Sequence, residues 1–304
     1  MLDFPSPAAV AANVRLRLRN LSEHVPILIV EGKTDRAALS GLIRSDVVII
    51  PASNKEKTLG ARDHLQEVEL HRCTFLVDCD GDLEAAWRSS DNVIISDWRD
   101  LDADMAIKLG ALTSILRDHL AEKHDTGDSL EQQVEQVFRF VTLLTAFCGT
   151  VTDAAKSFGA PTRVEEARKR RRRLRADDLN CFASRVSNLR VPKLSEELIP
   201  AAAERLGWDL EVQRKMVEIC SQNASKQCRL HSEPSCLECL PRTYVNGHDL
   251  VSVLRETLKA MLGNELNDKE LSRQVRLAID TEKLSEWRVL RRIAERGLAG
   301  NPSI

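Results

Sequence analysis

Predominantly apolar runs at 27–30, 47–50, 74–77 and 92–95 punctuate the first hundred residues. Runs of this length without polar alternation predict strands buried on both faces, as in a parallel sheet. Helical stretches lie between them. Residues 8–22 place Val10, Val14, Leu16, Leu18 and Leu21 on an imperfect apolar face with arginines on the remainder, which predicts a helix covering the sheet. Thr34 or Asp35 can cap a second helix running through Ile43, and Pro51 stops the second strand. A polar loop at 53–58 then leads through Gly60 into a helix ending near Glu69. Strands alternating with helices imply a mostly parallel sheet.

From Met105 onward the pattern changes and no strand is expected. Leu130, Val134, Val137, Phe138, Val141 and Leu144 recur at helical spacing and predict one buried helix. Pro161, Pro192, Pro200 and Pro241 divide the remainder into separate helices. The expected fold is an α/β domain at 1–110, its mostly parallel sheet flanked by helices, followed by an α-helical domain at 111–304.

Composition adds bounds. A chain of 304 residues can bury two cores without stapling, and its 8 cysteines are too irregularly spaced in the first half for a secreted disulfide framework. Arg15, Arg17 and Arg19 follow an Ala-rich stretch, the reverse of the order in a signal peptide. The apolar segment 140–148 is far short of the ~20 residues a membrane helix requires. A cytoplasmic chain with reduced thiols and no membrane contact is expected. The net charge of -2 hides an uneven distribution, with acids concentrated between Asp78 and Asp104 and a basic run further on.

The acids carry the candidate chemistry. Glu31 ends the first apolar run, and Asp78, Asp80 and Asp82 end the third. Open α/β sheets place ligands at the carboxyl ends of their strands. For Glu31 alone, capping the next helix and binding a hard cation explain the position equally well. Asp78 and Asp80 share one side of an extended chain, where like charges repel unless a cation or protons neutralise them. Asp82 lies beyond Gly81, so its direction stays open. A divalent metal site is expected.

Val30-Glu31-Gly32 with Asp35, together with Val77-Asp78-Cys79-Asp80, resembles the TOPRIM domain, the Mg²⁺-binding module of topoisomerases, primases and OLD-type nucleases. The resemblance covers about a third of the chain. It implies Mg²⁺ or Mn²⁺ on Asp78 and Asp80, with Glu31 as acid, base or ligand. Asp100 and Asp102 resemble the place where OLD-like relatives keep a glutamate, which would make them second-metal ligands. Lys33 would then stabilise phosphate or stay in solvent. Gly32-Lys33-Thr34 is not a P-loop, because the glycine required five positions earlier is Ile27. With no ATPase in the chain, the architecture is similar to the TOPRIM effectors (AriB) of PARIS antiphage systems, toxin-like nucleases that work beside a separate ABC-type ATPase (AriA-like). Asn246-Gly247-His248-Asp249-Leu250 resembles a motif opening a C-terminal helix in that group; near a helix start, His248 serves structure or, as the alternative, contacts substrate.

That resemblance implies a metal-dependent endonuclease with tRNA favoured and DNA open as substrate, and leaves a homodimer open. The alternatives are a non-catalytic docking subunit for an ATPase, or an OLD-like DNA-processing nuclease outside defence; primase-like synthesis ranks below both. Two features of the second half stand apart. Cys228-x2-His231-x4-Cys236-x2-Cys239 has ligand types and spacing suited to a small loop around structural Zn²⁺. Arg168, Lys169, Arg170, Arg171, Arg172, Arg173 and Arg175, broken only by Leu174, suit phosphate contacts or a solvated helix.

Overall fold

The computed structural model describes residues 6–79, 90–122, 129–157, 159–160, 163–165, 171–173, 189, 194–227, 244–263 and 266–300. The chain divides into two units, Met1–Asp104 with Asp280–Ile304, and Met105–Ile279.

The first unit is built on four parallel strands, β1 (Ile27–Val30), β2 (Val48–Pro51), β3 (Cys73–Val77) and β4 (Val93–Ile95), in the order β2-β1-β3-β4. Both central strands are buried along their whole length, which is why they read as apolar runs broken only by Thr74. On one face Ile27, Ile29, Phe75 and Val77 pack with Val10, Ala11 and Val14 of helix α1 (Pro7–Asn20). Helix α2 (Lys33–Leu39) packs on β1 and β2, and helix α3 (Lys55–Asp63) adds Leu59 and Ala61 to the core shared with α1. Leu16, expected on the apolar face of α1, is exposed.

Two boundaries differ from the sequence pattern for local reasons. Pro51 belongs to β2, opposite Val30. An edge strand tolerates its missing N–H. α3 begins at Lys55, capped by Asn54, whose side chain accepts from the Lys57 amide at 2.8 Å. Gly60 is interior to that helix, where a Cβ would come within 3.0 Å of the Pro7 ring. Its glycine reports close packing of α3 on α1, not a turn. After the short helix α4 (Glu67–Leu70) and β4, helix α5 (Leu101–Ala103) runs into a π-helical turn at Asp104–Lys108.

The second unit contains α6 (Ala111–Ala121), α7 (Leu130–Ser157), α8 (Ile199–Leu206), α9 (Leu210–Gln227), α10 (Gly247–Leu262) and α11 (Asp268–Leu277). α6, α9 and α10 pack around α7. That helix runs well beyond the apolar segment legible in the sequence, and its length and composition would suffice to cross a membrane; 78% of its apolar window is buried within the chain. Its threonines disguise it. Thr145, Thr150 and Thr152 donate to the carbonyls of Val141, Ala146 and Cys148 at 2.8, 2.9 and 2.8 Å, so their hydroxyls are satisfied within the helix.

The expectation of no strand after Met105 fails at one place. Arg163–Glu165 (β5) and Arg171–Arg173 (β6) pair antiparallel, with Glu165 opposite Arg171. Strands this short and this polar carry no periodic apolar signal.

Gly149, within α7, faces the Tyr244 carbonyl so closely that an added Cβ would lie 2.0 Å from its oxygen. Alanine is the better helix former by about 1 kcal/mol. Gly149→Ala should nonetheless destabilise the protein by about 3 kcal/mol, since one backbone must move. Urea unfolding of the two proteins measures the balance, and an unchanged or raised midpoint would refute this packing.

The C-terminal segment, expected with the helices, groups with the sheet. A 3-10 turn (Thr281–Glu286) leads through the fully buried Trp287 into helix α12 (Arg288–Glu295), which packs on edge strand β4. Beyond it, the Arg44 amide donates to the Leu298 carbonyl and the Gly300 amide to the Leu42 carbonyl, each at 3.0 Å. An antiparallel bridge pairs Ile43 with Ala299.

Candidate acidic site at the carboxyl edge of the sheet

From β1 the chain goes to β2 on one side and then, through α3 and α4, to β3 on the other. The crevice between the ends of β1 and β3 is therefore the topological switch point of the sheet. Glu31 leaves the end of β1 and Asp78 leaves the end of β3, both half-buried. They meet there: the Asp78 amide donates to Glu31 Oε1 at 2.7 Å. The Glu31 carbonyl accepts from the Ser53 amide at 2.7 Å, tying the loop after β2 to the same corner.

Neighbouring residues fix the two strand ends. Gly32 is the N-cap of α2, and its amide donates to Asp35 Oδ2 at 2.7 Å. Gly32, not Thr34 or Asp35, is thus the N-cap, and Asp35 reaches back from the first turn to hold the N-cap amide. Lys33 is the first residue of α2 and is exposed. The Cys79 amide donates to Ser96 Oγ at 2.8 Å, and Ser96 Oγ donates to the Trp98 carbonyl at 2.7 Å.

Beyond β4, Asp100 caps α5, accepting from the Ala103 amide at 2.8 Å, and Asp102 lies in the first turn of that helix. Asp97 pairs with Arg288 at 2.6 Å. The most buried acid of this stretch is Asp104, which accepts from the amides of Asp97 and Trp98 at 3.0 and 2.6 Å and from Trp287 Nε1 at 2.9 Å. Burial pushes its carboxyl up to about 6, against the pull of those three donors. Local sequence cannot reveal that role, because the indole comes from the far end of the chain.

No protein-family model and no curated protein matches this chain. Asp80 and Asp82 lie outside the described residues, as do Cys228, His231, Cys236 and Cys239 and the basic residues Arg168, Lys169, Arg170 and Arg175. Arg171, Arg172 and Arg173 form β6. Among the described residues no group of three or more His, Cys, Asp or Glu side chains stands together as a metal cage. What the fold does bring together is the Glu31 carboxylate, a hard oxygen donor of the type Mg²⁺ or Mn²⁺ takes, and the backbone of Asp78 at the end of β3. Asn246 accepts from the His248 and Asp249 amides at 3.1 and 3.2 Å and so caps α10.

Lys55 escaped the sequence reading. Its ammonium donates to the Asp78 carbonyl at 2.7 Å and to the Cys79 carbonyl at 3.4 Å. In the sequence it is one polar residue in an apparent loop.

Proposed function

We propose that this protein is a metal-dependent nuclease whose first unit is a TOPRIM-type domain, an effector that works beside a separate ABC-type ATPase in antiphage defence. The observation that carries the reading is the Glu31 carboxylate held by the Asp78 backbone amide at the switch point between β1 and β3, where both residues leave their strands. Glu31, Asp78 and Asp80 would hold Mg²⁺ or Mn²⁺. When bound, such an ion offsets charge on a phosphodiester and lowers the pKa of water. The chain's own part is to hold the Glu31 carboxylate by the Asp78 amide, where its oxygens can bind the ion or accept a proton. Lys33, at the start of α2, supplies a cation for a phosphate oxygen. The basic run would bind the nucleic acid, and the Cys228, His231, Cys236 and Cys239 set would hold a structural Zn²⁺.

A docking subunit without catalysis is the second reading, favoured by one observation. Asp35 and Asp100 both serve as helix caps, so part of the acid pattern is structural. Incubating the purified protein with tRNA and with plasmid DNA separates the two readings. Cleavage should require Mg²⁺ or Mn²⁺, stop with EDTA and return on adding the metal. Cleavage indifferent to EDTA would refute the nuclease reading, as would intact substrates both for the isolated chain and for chain co-expressed with its ATPase and released.

A further inference from the structure

We infer that Lys55 is a positioning residue of the acidic centre, gripping the chain at Asp78 and Cys79; its consequence for metal binding rests on the nuclease reading above. Local preference disfavours lysine here. It is the first residue of α3, where exposed amides and the helix dipole suit an acid. Its ammonium instead reaches from the β2 side of the sheet to the end of β3, donating to both carbonyls.

The turn that carries it is tied to β1. The Ala52 amide donates to the Val30 carbonyl at 2.8 Å and the Ser53 amide to the Glu31 carbonyl at 2.7 Å. Ser53 has φ 91, a left-handed conformation that costs a non-glycine residue energy and persists where surrounding contacts demand it. With Glu31 Oε1 on the Asp78 amide and Ser96 Oγ on the Cys79 amide, Lys55 completes the grip on every backbone polar atom of this dipeptide. A strand end held at all four points sets where Asp78 can lie.

The test compares wild type, Lys55→Met and Lys55→Arg as full-length proteins by amide hydrogen exchange, by Mn²⁺ binding in EPR titrations, and by thermal unfolding. Lys55→Met should exchange the Asp78 and Cys79 amides at least about tenfold faster and bind Mn²⁺ about tenfold more weakly, the usual penalty for losing a residue that supports metal ligands. Its midpoint should stay within a few degrees of wild type, and Lys55→Arg, which keeps the charge, should recover part of both losses. Where Lys55→Met does not fold, Lys55→Gln carries the same comparison. Unchanged exchange overturns the grip. Faster exchange with wild-type Mn²⁺ affinity overturns positioning of the centre and leaves the metal reading intact. Faster exchange in a protein whose wild type binds no Mn²⁺ overturns the metal reading and leaves the grip standing.

Discussion

Glu31→Gln should lower metal-dependent cleavage at least about 100-fold while leaving the thermal midpoint within a few degrees of wild type. The substitution is close to isosteric. Its amide oxygen can still accept from the Asp78 amide, which Glu31 Oε1 does at 2.7 Å, so the corner between β1 and β3 keeps its shape. What disappears is the negative charge that would bind a divalent ion or take a proton. Glu31→Ala is the coarser test, since it also leaves the Asp78 amide without its acceptor, at a cost of about 1 kcal/mol in a half-buried site. Single-turnover cleavage with Mg²⁺ measures the effect, and a Glu31→Gln protein that cuts at the wild-type rate would refute a catalytic role for this glutamate.

Removing Asp104 or its partner Trp287 should produce the largest loss of stability in the first unit. Asp104 satisfies two amides and an indole N–H in a site sealed from water, so Asp104→Ala would strand three donors. A loss of about 3 to 5 kcal/mol is expected for a buried hub of this kind. Trp287→Ala should cost about as much by emptying the space of a fully buried indole. The two should be strongly non-additive in a double-mutant cycle, because either change breaks the same contact.

The same carboxyl predicts a pH dependence of definite sign. Burial raises the folded-state value from 3.8 to about 6, so the folded protein holds this proton more tightly than the unfolded chain. The stability it contributes is full below about pH 4 and is lost as pH rises through about 6, a change on the order of 3 kcal/mol. Asp104→Asn, which cannot ionise, should flatten the urea-unfolding free energy between pH 4 and pH 7. An equal slope in both proteins would refute the assignment.

Much of the sheet was legible because a strand buried on both faces is mostly apolar; Ile27–Val30 and Cys73–Val77, interrupted only by Thr74, announce themselves. α7 was only partly visible, since a helix can satisfy threonine hydroxyls internally and bury them, which hydropathy reads as interruption. The β5–β6 pair was invisible, having no apolar period to detect. Of the site, Glu31 and Asp78 could be named from their places after apolar runs, whereas Lys55 and Asp104 could not.

By itself, then, the sequence determined the parallel strands, the acids at their ends and the helical character of the second half, because each is a local consequence of side-chain type and spacing. Tertiary structure alone decided that Lys55 reaches Asp78, that Trp287 closes over Asp104 across 183 positions, and that the C-terminal segment returns to the sheet. Those are pairings between distant segments, and their strength depends on burial and geometry that no stretch of sequence contains until the chain has folded.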